Sequence, residues 1–378
     1  MNALAAFDRS ATRELGYLRR HPWDLAVATW VPWLLLIMLA WMMASGVPRG
    51  LPIAVVNDDR TAMSREYVRL LDAAPAIDVA AHPSNLSEAW SLVRSMRVYA
   101  LVYIPADTAR DTERGGQATV FAYYNASFRT AGQAAFTDIT AATQALGARL
   151  PTPAVAPVRV QSTLLFNPER SYEHYLVGLL HPAILHLALC ICVIAALGRE
   201  LRDGSAGKWL GESAGRLASA VAGKIAPYML MFTLYGMVSL VWLAAVRGGG
   251  AAGNVAVLVA GELLLYLAYA AIGLLLVGLT KNMGQALSLS GLYAGTSLAF
   301  ADGTFPLDGA SLFTRIWSKL LPYSSYLEVK HQQLDMGSPI LASVGPLAIL
   351  VAFGIVAGAG GLLLYGRAAR DPAAWGRR

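Results

Sequence analysis

The sequence predicts a polytopic α-helical membrane protein with six transmembrane helices and an α/β extracytoplasmic domain inserted between helices 1 and 2. Of its 378 residues, 56% are hydrophobic and only 14% are charged, whereas soluble domains carry about 25% charged residues. The apolar residues are concentrated in stretches long enough to cross a bilayer. The long segment 46–172 instead alternates strand-like and helix-like patterns.

The six expected crossings are runs of roughly 20 mostly apolar residues, the length that spans a bilayer core. Ahead of them, residues 1–24 are amphipathic, with Leu4, Leu15 and Leu18 on one face, which is typical of a helix lying on the membrane surface. The first run is too long for the apolar part of a cleaved signal, so we expect an anchor. The runs are 25–44, 174–197, 225–246, 254–279, 285–301 and 340–365.

The positive charges of the short loops predict the orientation. With the N-terminus in the cytoplasm, most Lys and Arg residues of these loops fall inside, including those of loop 198–223 and tail 367–378. We therefore expect a multi-pass membrane protein with both termini cytoplasmic. The net charge of +6 then faces anionic lipid headgroups, and nucleic acid is not an expected partner.

The segment 46–172 has the composition of a compact α/β domain of ordinary size. Asn85 followed by Glu88 resembles a capping box at the start of a helix. We see no catalytic constellation in it. The expected strands are Leu51–Val56, Val98–Ile104 and Ala118–Tyr124, and the longest expected helix covers 128–149.

No nucleotide-binding motif accompanies the apolar runs. The Gly-Lys pairs at 207–208 and 223–224 are not followed by the Ser or Thr of a P-loop. No nucleophile–base pair, paired carboxylates or metal-ligand cluster is visible either. We therefore expect no enzymatic activity and no cofactor in this chain. If ATP drives the protein, another chain hydrolyses it.

The loop 198–223 mixes charged residues such as Arg199 and Glu200 with the apolar Trp209 and Leu210. Charges around an aromatic anchor suit a helix that docks in a partner's groove. A solvated amphipathic loop that only joins two crossings explains the same composition equally well.

Residues 303–338 predict a re-entrant or interfacial hairpin before the last crossing. Apolar residues such as Phe313 and Trp317 recur at helical spacing in 310–321, a segment too short to span. Pro322 is expected to stop this helix.

Glu262 is an ionisable residue inside the fourth crossing, where charged groups are costly and usually functional. Tyr266 and Tyr269 follow on its face at helical spacing. This face either lines the dimer interior or a translocation path, or Glu262 makes a structural hydrogen bond between helices. His181 and His186 in the second crossing are expected to hydrogen-bond between helices, because no third metal ligand is evident.

Four groups of short motifs lie in order along nearly the whole chain. Each is weakly specific alone, and their order makes them more specific together. They are Pro52–Asp59 with Ser64-Arg65; Phe166-Asn167-Pro168; Arg199-Glu200 and Gly204-Ser205 followed by Gly223-Lys224 and Pro227-Tyr228; and Gly303–Pro306 with Leu321-Pro322.

In this order the motifs resemble the permease subunit of type-2 ABC exporters, in the subgroup with a large extracytoplasmic domain. The resemblance implies a dimer with a second permease, identical or related, each contacting a cytoplasmic ABC ATPase and exporting a hydrophobic or amphipathic substrate. A periplasmic adaptor and membrane lipid are further partners we consider. Arg202 stands where the family usually has an acidic residue and Ser205 where it has threonine, which leaves the details of ATPase docking open.

Transport by a permease subunit powered by a separate ATPase is the leading expectation, and the alternative is a membrane-anchored receptor or scaffold whose outer domain binds a ligand or partner. Six crossings, an intramembrane carboxylate and a charged cytoplasmic loop favour transport, since an anchor needs none of them. The predicted sites are ATPase coupling at Arg199, Glu200, Gly204, Ser205, Trp209 and Leu210; a translocation path at Glu262, Tyr266 and Tyr269; and the re-entrant hairpin at Phe305, Pro306 and Pro322.

Overall fold

The computed structural model divides the chain into two compact units, residues 1–44 with 165–378, and residues 45–164. In its described part the first unit is helical, and the second combines helices with a β-sheet. The described residues are 2–42, 49–114, 118–124, 129–149, 172–213, 215–246, 250–301 and 310–376.

Five helical segments among the described residues of the first unit are long and apolar enough to cross a membrane. The shortest, Pro22–Met42, has 21 residues, and a helix of that length spans about 30 Å. It consists of α2 (Pro22–Ala28) and α3 (Trp30–Met42). The others are α8 (Tyr172–Arg202), α10 (Leu217–Val241, continued by a π-helical turn to Val246), α11 (Val255–Thr280) and α16 (Ile340–Ala368).

The predicted crossing at 285–301 is not confirmed, because no single long helix covers it. Helix α12 (Met283–Tyr293) ends in a turn, and the four-residue helix α13 (Ser297–Phe300) follows. Gly295 permits the turn, since a Cβ there would overlap the carbonyl oxygen of Gly291. Apolar composition alone did not reveal this break.

Helix α11 is the central element of the first unit and packs against α8, α10, α12 and α16. Glycines bring α11 and α16 into backbone contact: a Cβ at Gly361 would lie 2.9 Å from the amide nitrogen of Leu275. A Cβ at Gly278 would lie 2.8 Å from the amide nitrogen of Tyr365. Close contacts of this kind are common between membrane helices, whose association relies on small residues.

The N-terminal segment forms α1 (Ala3–Arg20), and the bundle covers Leu18 but leaves the other two leucines of the predicted apolar face exposed. Leu4 and Leu15 are exposed, so this face remains open to a surrounding bilayer. The face that carries the buried residues packs against α10, where a Cβ at Gly223 would overlap the carbonyl oxygen of Phe7. The buried residues of α1 are Ala6, Ser10, Glu14 and Leu18.

Two short helices lie in the described part of the predicted hairpin 303–338. Pro322 does not end the first of them, which already stops at Lys319; it begins the second. Proline suits this position, because an N–H there would have no helical partner. Phe305 and Pro306, like the motif at 166–168, lie outside the described residues. The helices are α14 (Leu312–Lys319) and α15 (Pro322–Lys330), which continues as a π-helical turn, His331–Asp335.

The second unit contains a four-stranded sheet in the order β2-β1-β3-β4, in which only the β3–β4 pair is antiparallel. Alternate residues of the central strands face opposite sides, so Val55 packs with Tyr67 while Ala54 packs with Ala89. The elements are β1 (Leu51–Asn57), α4 (Ala62–Asp72), β2 (Ile77–Ala81), α5 (Leu86–Arg94), β3 (Ala100–Ile104), α6 (Thr108–Glu113), β4 (Phe121–Tyr124) and α7 (Arg129–Arg149).

Candidate coupling site at the α9 end of the helical unit

The predicted coupling loop folds as a short helix held against the ends of α8 and α10. After α8 the chain turns at Gly204, whose φ of +65° favours glycine. Helix α9 (Ala206–Glu212) follows, and the chain then enters α10. The amide of Ser205 donates to the carbonyl oxygen of Glu200 (2.9 Å), which fixes the turn.

A single buried carboxylate, that of Glu14 in α1, connects three helices. Nη2 of Arg199 in α8 lies 2.8 Å from each of its two oxygens. From α10, Nζ of Lys224 donates to Oε2 (2.7 Å) and the hydroxyl of Tyr228 donates to Oε1 (2.6 Å). The Glu14 side chain has no exposed surface, so these contacts are shielded from solvent.

The charge state of Glu14 follows from its neighbours. Burial alone would raise its pKa, but the positive charges of Lys224 and Arg199 and the hydrogen bonds from Lys224 and Tyr228 outweigh burial, so the pKa is lowered. Glu14 is therefore an ionised carboxylate. A buried ion group of this kind is costly to break, because removing one member leaves another charge uncompensated.

The ion network continues from Glu14 to both ends of α9. Lys224 also donates to Oε1 of Glu200 (2.7 Å), whose Oε2 accepts hydrogen bonds from Arg13 (3.2 Å) and from the hydroxyl of Ser205. Arg13 in turn reaches Oε2 of Glu212 at the last residue of α9 (3.2 Å). Displacing α9 would therefore strain contacts to α1, α8 and α10 together.

Trp209 of α9 points into its own chain. Its indole Nε1 donates to Oγ of Ser10 (2.9 Å), which in turn donates to the carbonyl oxygen of Ala220 (2.7 Å). The Lys224 ammonium lies 5.1 Å from the centre of the Trp209 ring, within the range of a cation–π interaction. The indole thus anchors α9 to α1 and α10, and it is a poor candidate for the apolar anchor in a partner's groove that the sequence suggested.

The residues predicted for ATPase coupling therefore differ in their exposure. Four of them are buried within the chain, and Ser205 is half-buried. Gly204 is exposed. The buried four are Arg199, Glu200, Trp209 and Leu210. The face that α9 and its preceding turn leave exposed carries Arg202, Asp203, Gly207, Lys208 and Gly211.

The C-terminal residues extend this exposed face. The Trp375 ring lies over Gly207, where a Cβ would be 2.9 Å from the ring. The amide of Gly376 donates to the carbonyl oxygen of Leu201 (3.1 Å). Trp375 and α9 border an open groove of about 260 Å³. The predicted tail is thus part of the same surface as α9.

The sequence did not identify Glu14 as a site residue, and it indicated Lys224 only as part of the Gly223-Lys224 motif. Two signals could have identified them. Glu14 shares a face of α1 with Ala6, Ser10 and Leu18, and Lys224 is a charge at the entrance of an apolar run. Their pairing joins residues 210 positions apart, and no spacing rule predicts such a contact.

The three residues predicted for a translocation path lie inside the bundle. Tyr266 donates to Oε1 of Glu262 (2.8 Å), and the hydroxyl of Tyr269 lies 2.7 Å from Oγ of Ser297 in α13. A Cβ at Gly236 of α10 would overlap the Glu262 carboxylate. The hydrogen bond of Tyr269 joins α11 to α13, whereas Glu262 accepts its hydrogen bond from Tyr266 of the same helix. A role in translocation stays a prediction.

These features define a class of protein: a multi-pass membrane protein whose spanning helices are joined at one end by buried ion pairs to a short surface helix. The family described as ABC-2 family transporter protein matches residues 22–363. The chain belongs to this family, and the resemblance seen in the sequence is confirmed. Membership implies a membrane transport component, the permease of an ABC transporter. No curated protein and no solved structure matched the chain.

Proposed function

We propose that this chain is the permease subunit of an ATP-driven exporter that moves a hydrophobic or amphipathic substrate across the bacterial inner membrane. A separate ATPase chain supplies the energy and docks on the exposed face of α9 and the adjoining tail. Residues 46–172 are then extracytoplasmic and both termini are cytoplasmic. A second permease, identical or related, completes the transporter. A periplasmic adaptor and bound lipid remain predictions from the resemblance.

The observation that carries this proposal is the network centred on Glu14. A docked ATPase can move spanning helices only through a surface helix that is firmly attached to them. Helix α9 meets this requirement, since its two ends connect through Glu200 and Glu212 to α1, α8 and α10. A membrane anchor for a receptor or scaffold has no need of such a connection.

An apolar groove supports the proposed class of substrate. It lies between α3, α8 and α10, has a volume of about 470 Å³ and is open on one side. Among its described lining residues Ser239 is polar, and the others include Trp33, Trp41 and Trp242. Binding sites for small apolar molecules are typically lined in this way.

Purification of the full-length chain from its native membrane tests the docking surface. The wild type should bring down an ABC ATPase, and the complex should hydrolyse ATP. Lys208→Glu reverses a charge on the exposed face of α9 and should weaken ATPase retention about tenfold, a loss of about 1.4 kcal/mol in binding. The matched control is Lys319→Glu, which reverses an equally exposed charge on α14.

The outcomes separate the two functions. Loss of the ATPase in Lys208→Glu but not in Lys319→Glu supports the proposed surface. Equal retention in both variants contradicts docking at α9. A wild-type chain that carries no ATPase and hydrolyses no ATP instead favours the receptor or scaffold.

Cysteine labelling tests the orientation independently. The two native cysteines, Cys190 and Cys192, are buried and give little background. Arg94→Cys should react in intact cells with a membrane-impermeant maleimide, whereas Lys208→Cys should react only after the membrane is opened. The opposite pattern would overturn the assigned sides.

A further inference from the structure

His181 of α8 and Glu262 of α11 face each other inside the helical bundle, with side-chain exposures of 0% and 3%. Nε2 of His181 lies 3.8 Å from Oε1 of Glu262, slightly beyond hydrogen-bonding distance. Nδ1 of His181 lies 2.9 Å from the carbonyl oxygen of Val177, which can only accept. Nδ1 therefore carries a hydrogen, and in the neutral form of the ring Nε2 presents a lone pair toward Glu262.

The Glu262 carboxyl group has few hydrogen bonds for a buried group. Oε1 accepts one hydrogen bond from Tyr266, while Oε2 has no hydrogen-bond partner among the residues that the structure describes. Nε2 of His181 also has none in this part of the chain. An ionised Glu262 carboxylate would face the lone pair on Nε2 of His181, and Tyr266 would be its one hydrogen-bond donor among the described residues. A carboxylic acid would offer the hydrogen that His181 can accept, without a buried charge.

The one cation near this pair is already neutralised, as far as the described residues show. Lys330 of α15 packs against α8, where a Cβ at Gly178 would lie 2.7 Å from its Nζ. Its ammonium donates to Oδ2 of Asp335 (3.2 Å). Burial would raise the pKa of Asp335, but hydrogen bonds from His174 and His331 and the charge of Lys330 outweigh burial and lower it. Asp335 is therefore ionised and balances Lys330.

Within the part of the chain that the structure describes, the remaining elements packed against α11 supply no further charge beside Glu262. Tyr326 of α15 is near enough to interact electrostatically with Glu262, and its hydroxyl has no partner among the described residues. From α10, Gly236 meets the carboxylate with its backbone. In α16 the first ionisable side chain is Tyr365, near the far end of that helix. Glu262 thus has His181, Tyr266 and Tyr326 as its ionisable neighbours.

We propose that Glu262 and His181 form an intramembrane proton-binding site, in which Glu262 is a carboxylic acid whose hydrogen is directed at Nε2 of His181. Binding adds one proton to the carboxylate, and no other bond forms or breaks. Closing the 3.8 Å separation by less than 1 Å completes the hydrogen bond. This site goes beyond the proposed export function, since it requires neither the ATPase nor a particular substrate.

Further ionisable groups lie along the first turns of α8, on the side of the pair. His174, Gly178 and His181 recur on one face of α8. His174 contacts Asp335 (2.8 Å), and Lys330 lies at Gly178, one turn closer to His181. Asp335 also contacts His331, whose side chain is 29% exposed. Ionisable groups therefore extend from a partly exposed histidine toward the buried pair.

Infrared spectroscopy of the purified full-length chain in detergent tests the site directly. At neutral pH the wild type should show the carbonyl stretching band of a protonated carboxylic acid. Glu262→Gln should abolish the band, and the matched control Glu328→Gln, at an exposed glutamate of α15, should retain it. His181→Phe should shift the band, because the hydrogen-bond acceptor is lost.

Each outcome decides the proposal. A wild type without the band, or a band that survives in Glu262→Gln, overturns it. An unchanged band in His181→Phe overturns the assignment of His181 as the acceptor. If Glu262→Gln does not fold, the wild type grown with isotopically labelled glutamate replaces it. A band that does not shift on labelling would not belong to a glutamate and would refute the site.

Discussion

Replacing Glu14 by glutamine is the most direct perturbation of the ion network. The variant keeps the size of the side chain and removes its charge. Arg199 then loses a carboxylate that it contacts at 2.8 Å through both oxygens, and Lys224 loses one of its two carboxylates. The new amide nitrogen donates hydrogen bonds, but it replaces an oxygen that accepted them from Arg199 and from either Lys224 or Tyr228. The variant therefore leaves a positive charge buried without full compensation.

Breaking a buried ion pair by removing one member typically costs about 3–5 kcal/mol. We expect Glu14→Gln to lower the free energy of unfolding by an amount in this range, because the Glu14 side chain is fully buried. Lys224 keeps its contact with Glu200, which limits the loss. The double variant Glu14→Gln with Lys224→Met should lose about 1–3 kcal/mol less than the sum of the single variants. Asp8→Asn, on the exposed side of the same helix, should change stability by about 0.5 kcal/mol or less.

Thermal unfolding of the detergent-solubilised full-length chain measures these differences, with the folded fraction followed by size-exclusion chromatography. ATP hydrolysis by the complex with the ATPase gives a second readout, which should fall in Glu14→Gln even below its melting temperature. If Glu14→Gln melts together with Asp8→Asn and supports full ATP hydrolysis, the network neither stabilises the fold nor connects α9 to the spanning helices. Additive losses in the double variant would refute the pairing of Glu14 with Lys224.

Three further predictions follow from the same region. Because the pKa of Glu14 is lowered, its contribution to stability should be complete above pH about 4.5 and lost as pH falls through the lowered value, so the difference between wild type and Glu14→Gln should shrink in acid. Gly223→Ala should cost about 1–3 kcal/mol in a melting assay, since its Cβ overlaps the backbone of Phe7, whereas Gly211→Ala meets open space and should be tolerated. Trp209→Phe should lose about 1 kcal/mol with its indole hydrogen bond.

Each of these has a contrary result. A constant difference between wild type and Glu14→Gln across the acid range would contradict the lowered pKa. Equal melting temperatures for Gly223→Ala and Gly211→Ala would contradict the close packing of α1 on α10. A Trp209→Phe variant as stable as the wild type would show that its indole hydrogen bond contributes nothing.

The sequence by itself determined five long apolar helices and the family. Five of the six apolar runs correspond to long helices, because the length needed to cross a bilayer is a local property that a run of residues either has or lacks. Strands β1 and β3 were also found, since their β-branched residues are distinctive. The crossing predicted at 285–301 is not confirmed, because apolar composition does not reveal the turn at Gly295 that divides this segment into two short helices.

Only the tertiary structure decided which faces are buried and which charges pair. Leu4 and Leu15 are apolar but exposed, while Glu14 is charged and buried. In a membrane protein both the lipid and the bundle interior are apolar, so apolar periodicity cannot tell one from the other. The direction of Trp209 and the pairing of Glu14 with Lys224 depend on contacts between distant helices. Such contacts exist only once the helices have packed.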